Sequence, residues 1–214
     1  MSTTENIDLP ERSSGDVAYA AVKAVVAAVP FVGGSAGELL GLALRPPLEK
    51  RRDEWMKSVA LRLQATEQRF ERLTSDPSFV TTIAAASLIA MRNHQEEKLE
   101  ALRNAVVNCA IGNAPGDDLR ALFLSLVDEL TPTHLRILKL FAGAGSSGPH
   151  IRQEFASQRE VTDQMILRLL GAGLIQDPRP YVARVRESLE PLINLGWTTS
   201  NLGSQFLKFI SESR

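Results

Sequence analysis

Residues 17–44 read VAYAAVKAVVAAVPFVGGSAGELLGLAL; 20 of these 28 residues are apolar, and only Lys23 and Glu38 are charged. The run breaks at Pro30-Phe31-Val32-Gly33-Gly34, which leaves arms of 13 and 10–12 residues and predicts a helical hairpin. Gly33, Gly37 and Gly41 stand four residues apart, so on a helix they line up as a smooth ridge that a second helix can approach closely. An uninterrupted membrane span needs about 20 apolar residues, and eight residues of this run are alanine, which drives insertion weakly. The expectation is a buried or oligomeric helix pair, with conditional insertion of the hairpin into a membrane as the second reading. Lys23 and Glu38 lie 7 residues before and 8 after Pro30, so a hairpin folded there brings the two charges to similar depth.

The rest of the chain bounds the problem from outside. Its 214 residues hold one large or two small domains and can bury a real core. Hydrophobic content of 44% and charged content of 23% suit a globular protein, and a formal net charge of −1 argues against coating nucleic acid or an acidic membrane. The balance is uneven: residues 1–130 carry 14 Lys+Arg against 18 Asp+Glu, and residues 131–214 carry 10 against 7. A single Cys109 forms no internal disulfide, which fits a reducing cytoplasm. Residues 1–16 lack the basic start of a secretory signal and read as a disordered tail. The expected location is therefore cytoplasmic, with peripheral contact to the inner membrane as the alternative.

Beyond the hairpin, helical periodicity dominates up to residue 142. Arg45-Pro46-Pro47 is expected to end the hairpin and start a charged helix over about 47–74, with Trp55, Val59, Leu63, Phe70 and Leu73 as its apolar stripe. Ser75-Asp76-Pro77 starts the next helix, FVTTIAAASLIAMR, which is apolar on most sides and so expected at the centre of a bundle. Asn93 with Glu96 predicts a capping box for HQEEKLEALRNAVVNCA. After the loop Gly112–Gly116, Asp117 and Asp118 open a helix with Leu119, Leu122, Leu126, Val127 and Leu130 toward the core.

From Thr131 the pattern changes. Thr131-Pro132-Thr133 opens HLRILKLF, the segment AGAGSSGP links it onward, and two short helices follow, HIRQEFAS and EVTDQMILRLL. Gly171-Ala172-Gly173 turns into Leu174-Ile175, a 20-residue excursion intervenes, and WTTSNLGSQFLKFI closes with a strand and a helix. Three helices, strand, wing, strand and closing helix is the order of a winged helix-turn-helix. The expected fold is mainly α: a helical bundle over 17–130, then a winged helix-turn-helix domain with a small β-hairpin over 131–214. Trp197, Phe206 and Phe209 are expected in its core.

In layout the chain resembles the Abi-alpha family, bacterial proteins linked with abortive infection. The resemblance rests on the Ala/Gly-rich helical N-terminus, HQEEKLEALRNAVVN, the acidic-apolar helix leading into LTPTHLRILKLF, and the closing phrase with Thr199, Gly203 and Phe206. It covers about residues 80–210, and the compact Pro-Gly hairpin at 30–41 departs from it. It implies a role in phage defence or toxicity control and supplies no catalytic residues.

Chemistry-bearing constellations are scarce. His94 and Glu97 share a helix face, but a metal centre needs three or four ligands and no second pair matches them. Glu100 with Arg103 reads as a solvated pair on that helix. His134 and His150 stand alone, and Cys109 lies among Val106, Val107 and Ala110 with no basic neighbour to activate it. Gly143–Gly148 lacks the Gly-Lys-Ser/Thr ending of a phosphate loop and reads as a linker, as does Gly33-Gly34. The reading is thus non-enzymatic, with no cofactor and no metal. On the expected recognition helix, Val161, Met165, Leu169 and Leu170 are assigned inward, and Glu160, Asp163, Gln164, Leu167 and Arg168 outward. Two carboxylates against one arginine disfavour a DNA phosphate contact, although Arg179, Arg184 and Arg186 gather in the wing. A protein partner or self-association is expected, through the hairpin and the winged-helix surface, with conditional membrane contact. A winged-helix DNA-binding regulator is the alternative.

Overall fold

A computed structural model describes residues 37–66, 70–143, 155, 159–176 and 197–212. Eight helices and one two-stranded antiparallel sheet lie among the described residues, so the protein is mainly α. The helices are α1 Gly37–Gln64, α2 Phe70–Thr74, α3 Pro77–Arg92, α4 Glu96–Ala110, α5 Asp117–Glu129, α6 Pro132–Ala142, α7 Arg159–Gly171 and α8 Asn201–Ile210. The strands are β1 Ile175–Gln176 and β2 Thr198–Thr199. The tail, the first hairpin arm with Lys23 and Gly33, and the wing with Arg179, Arg184 and Arg186 lie outside the described residues.

The chain divides into two compact units, residues 1–91 and 92–214. In the first unit α1 departs from expectation. It runs without interruption through Arg45-Pro46-Pro47, so Gly37 and Gly41 belong to the same helix as Trp55. Each proline inside a helix withholds an N–H donor and crowds the carbonyl four residues back, a local cost that this helix carries at positions 46 and 47. The helix then ends at Gln64, and α2 supplies the short remainder of the expected 47–74 segment. Trp55, Met56, Val59, Ala60 and Leu63 are buried at helical spacing, as is Leu73 of α2.

In α3, Asp76 begins the helix as expected. Its carboxylate accepts the Ser78 N–H at 2.9 Å, and Pro77 occupies the first turn where no donor is needed. Phe79, Ile83, Ala86, Ile89 and Ala90 are buried, while Thr81, Leu88 and Arg92 are exposed, so α3 also has a wet face. Its alanines make the sequence look apolar all round. One buried polar link joins α1 to α3: the Trp55 indole N–H donates to Ser87 Oγ at 3.0 Å, and that hydroxyl donates to the Ile83 carbonyl at 2.7 Å.

The second unit is built around α4 and α8. Ala101, Leu102, Ala105 and Val106 of α4 are buried, as are Phe206, Phe209 and Ile210 of α8. Phe123 of α5 packs against α8, its ring 5.4 Å from Phe206 edge-on and 5.7 Å from Phe209. Leu126, Val127 and Leu130 are buried as expected, whereas Leu122 is exposed and Phe123 takes the core position. Asn104 Nδ2 donates to the Ile210 carbonyl at 3.1 Å, and Asn108 Nδ2 to the Phe209 and Ser211 carbonyls at 2.8 and 3.0 Å. Two asparagines of α4 thus satisfy last-turn carbonyls that α8 cannot satisfy itself. Without α4 and α5 the closing helix loses its core and its C-terminal cap.

The capping box expected at Asn93 is not formed. Gln95 is the N-cap of α4, while Glu96 pairs with Arg103, which also binds Glu100 at 2.9 Å. Asn93 instead reaches Asp128 at 3.5 Å. Thr131-Pro132 opens α6 as expected, with an unforeseen partner: His134 Nδ1 accepts the Thr131 N–H at 3.2 Å and lies 2.7 Å from Thr131 Oγ1.

Candidate protein-contact surface

Helix α7 owes its position to three buried side chains, Thr162, Ile166 and Leu169, at helical spacing. Its end is fixed by a Schellman pattern: Leu174 N–H donates to the Leu169 carbonyl at 3.0 Å and Gly173 N–H to Leu170 at 2.9 Å. Gly173 has φ +70°, the left-handed conformation this cap requires. Leu174 and Ile175, both buried, then lead into β1, where Ile175 pairs with Thr199 and Gln176 with Thr198. Ser200 ties the start of α8 to the same turn. Its N–H donates to the Leu174 carbonyl at 3.0 Å, and its hydroxyl donates to the Gly173 carbonyl at 2.6 Å and accepts the Gly203 N–H at 2.9 Å.

With the inner face so fixed, the outer face of α7 differs from expectation by a rotation. Val161 and Leu170, assigned inward, are 52% and 37% exposed, and Leu167 is 43% exposed. Met165 is half-buried, and the buried place goes to Thr162 and Ile166. Glu160, Gln164 and Arg168 are exposed as expected, and Asp163 is half-buried. Arg168 does not stand free: its guanidinium is paired with the Glu129 carboxylate at the end of α5. The surface therefore offers three large apolar side chains, an exposed Glu160 carboxylate and an arginine already facing a carboxylate.

Other expected residues fall apart in space or in role. His94 and Glu97 are both exposed, and among the described residues no group of three or more His, Cys, Asp or Glu could hold a metal ion. Cys109 is half-buried. Burial pushes the His134 imidazole below its usual pKa, which matches a ring that accepts at Nδ1. A feature the sequence reading missed is Lys98, 4% exposed, whose ammonium donates to the Asp128 carbonyl at 2.6 Å near the end of α5. Burial holds its pKa below the ordinary lysine value; the Asp128 carboxylate opposes that shift and Arg92, bonded to Asp128 at 2.7 Å, adds to it. No described helix is long and apolar enough to cross a membrane. Neither a protein-family model, nor a curated protein, nor a solved structure matches the chain.

Proposed function

We propose that this chain is a non-enzymatic bacterial interaction or effector protein acting in phage defence or toxicity control. Its working parts are the apolar hairpin 17–44 and a winged-helix region, 131–214, used to grip protein rather than DNA. The order of α6, α7, β1, β2 and α8 supports the winged-helix reading, and the layout resemblance to the Abi-alpha family supports the biological role. The observation that carries the contact reading is the outer face of α7. A helix that reads a DNA groove presents donors and positive charge, because phosphate contact supplies most of the affinity. Here Val161, Leu167 and Leu170 are exposed on one short helix, Glu160 would repel phosphate, and Arg168 is held by Glu129. Leu167 and Leu170, three residues apart, lie side by side on the helix, and adjacent exposed apolar side chains mark contact sites for other apolar surfaces.

The test pairs a cellular and a solution measurement. Leu167→Asp lies on the surface, so its effect on stability is expected within about 0.5 kcal/mol, while the protection against phage or the growth arrest produced by the wild type is lost. In mobility-shift assays at physiological salt no sequence-specific complex tighter than about 1 µM is expected, since specific DNA binders normally reach nanomolar affinity. A discrete, competitor-resistant shift with steep salt dependence would instead establish the DNA-regulator reading.

A further inference from the structure

We infer that the partner gripped by α7 is a second copy of this chain, docked antiparallel about a two-fold axis at Gln164; the inference rests on the protein-contact reading above. The outer face is self-complementary in an unusual way. Gln164 lies midway between Val161 and Leu167, and midway between Glu160 and Arg168, with all five residues on the solvent side of the helix. Steps of three and four residues keep a helical side chain on one face. When two such helices pack antiparallel with their Gln164 residues at the axis, Val161 of each copy lies level with Leu167 of the other. Glu160 of each lies level with Arg168 of the other. An isologous interface demands this: every patch must meet its own complement. Parallel packing would set Glu160 against Glu160 and Arg168 against Arg168, so the charges also choose the direction.

The existing ion pair fits the arrangement. Arg168 already faces Glu129 of its own chain, and a guanidinium carries five N–H donors, enough to serve a second carboxylate. Glu160 would fill that role from the neighbouring copy. The Gln164 amide both donates and accepts, so two of them can bond across the axis. Helix α7 has 13 residues, about 20 Å of length. One such helix covers less than the roughly 800 Å² per partner of a stable complex, so the dissociation constant is expected on the order of tens of micromolar.

The experiment is sedimentation of the full-length chain over roughly 1–300 µM, a range chosen to straddle such an affinity. The wild type is expected to rise toward twice the mass of one chain as concentration increases. Glu160→Arg alone and Arg168→Glu alone each place like charges together twice, and each is expected to weaken association at least about tenfold. In an equimolar mixture the heterodimer sets one native Arg168 against one native Glu160 and the two substituted positions against each other with opposite charges. Both ion pairs return, one of them reversed, and the mixture is expected to associate as the wild type does. Recovery in the mixture also shows that both variants are folded. A wild type that stays monomeric throughout, a Glu160→Arg chain that associates like the wild type, or a mixture that does not recover would each overturn the inference. If the wild type is monomeric while Leu167→Asp still abolishes cellular activity, self-association falls and contact with a different protein stands. If Leu167→Asp keeps full activity, the contact reading itself falls.

Discussion

At Gly203 a methyl group would have nowhere to go. A β-carbon built there lies 2.0 Å from the Leu174 carbonyl oxygen and 2.8 Å from Thr199 Cγ2, and the carbonyl belongs to a backbone turn fixed by Ser200. Gly203→Ala is therefore expected to cost about 3 kcal/mol or more, the upper range for overpacking, read as a fall in the unfolding midpoint. His134 gives a pH signature. Its neutral ring accepts the Thr131 N–H, and burial lowers its folded pKa. A group whose folded pKa is depressed is neutral in both states at high pH, so its contribution is intact above the unfolded value, about 6.5. Below that pH the unfolded chain takes up a proton that the folded chain resists, and stability declines as pH falls until the folded ring titrates. Denaturant midpoints measured from pH 8 to pH 5 should show this decline, and His134→Gln, which takes no proton, should flatten it.

At the scale of elements, Phe206 of α8 touches the central Phe123 ring and is fully buried. Phe206→Ala is expected to cost roughly 3–5 kcal/mol, the usual range for truncating a core phenylalanine, in a chemical-denaturation measurement. The placement of Trp197, Phe206 and Phe209 in the core was legible because large aromatic residues just before and on a short closing helix have few other places to go. The starts of α3 and α6 were legible too, since Asp76-Pro77 and Thr131-Pro132 act through the first turn of their own helix. What escaped the sequence depends on distant partners. The burial of Asn104 and Asn108 makes sense only with the carbonyls of α8, about a hundred residues away. The rotation of α7 escaped for a related reason: Val161 and Leu170 outrank Thr162 in hydrophobicity, yet Thr162 holds the buried position. In α1, Pro46-Pro47 reads as a stop by local rules, yet the 28-residue helix runs through it.

For the molecule as a whole, the two units make different promises. A fragment spanning residues 92–214 contains α4, α5 and α8 together and is expected to unfold in one cooperative transition. A fragment spanning 131–214 lacks Asn104, Asn108 and Phe123, so α8 has neither its cap nor its aromatic partner. It is expected to show no sharp transition by calorimetry. A sharp transition in the shorter fragment would place a boundary at residue 130. The hairpin, most of which lies outside the described residues, is tested by Val26→Asp. If membrane action is conditional on residues 17–44, a buried aspartate costs about 2.5–3.5 kcal/mol at the bilayer centre. Dye release from liposomes and growth arrest on overexpression should then both fall. Arrest without dye release, equal in both proteins, would place the target in solution.

The bond from Asn104 to Ile210 spans 106 residues of chain, and that separation sets a clock. Ribosomes add roughly 5–20 residues per second, so α4 emerges about 5–20 s before the helix that covers it. Through that interval Ala101, Leu102, Ala105 and Val106 have no α8 to shield them, and Asn104 and Asn108 lack the α8 carbonyls they hold in the finished fold. Closing so long a loop also slows folding relative to the local pairing of neighbouring helices. The second unit should thus pass through a half-finished state during synthesis, open to capture by chaperones until residues 201–210 arrive.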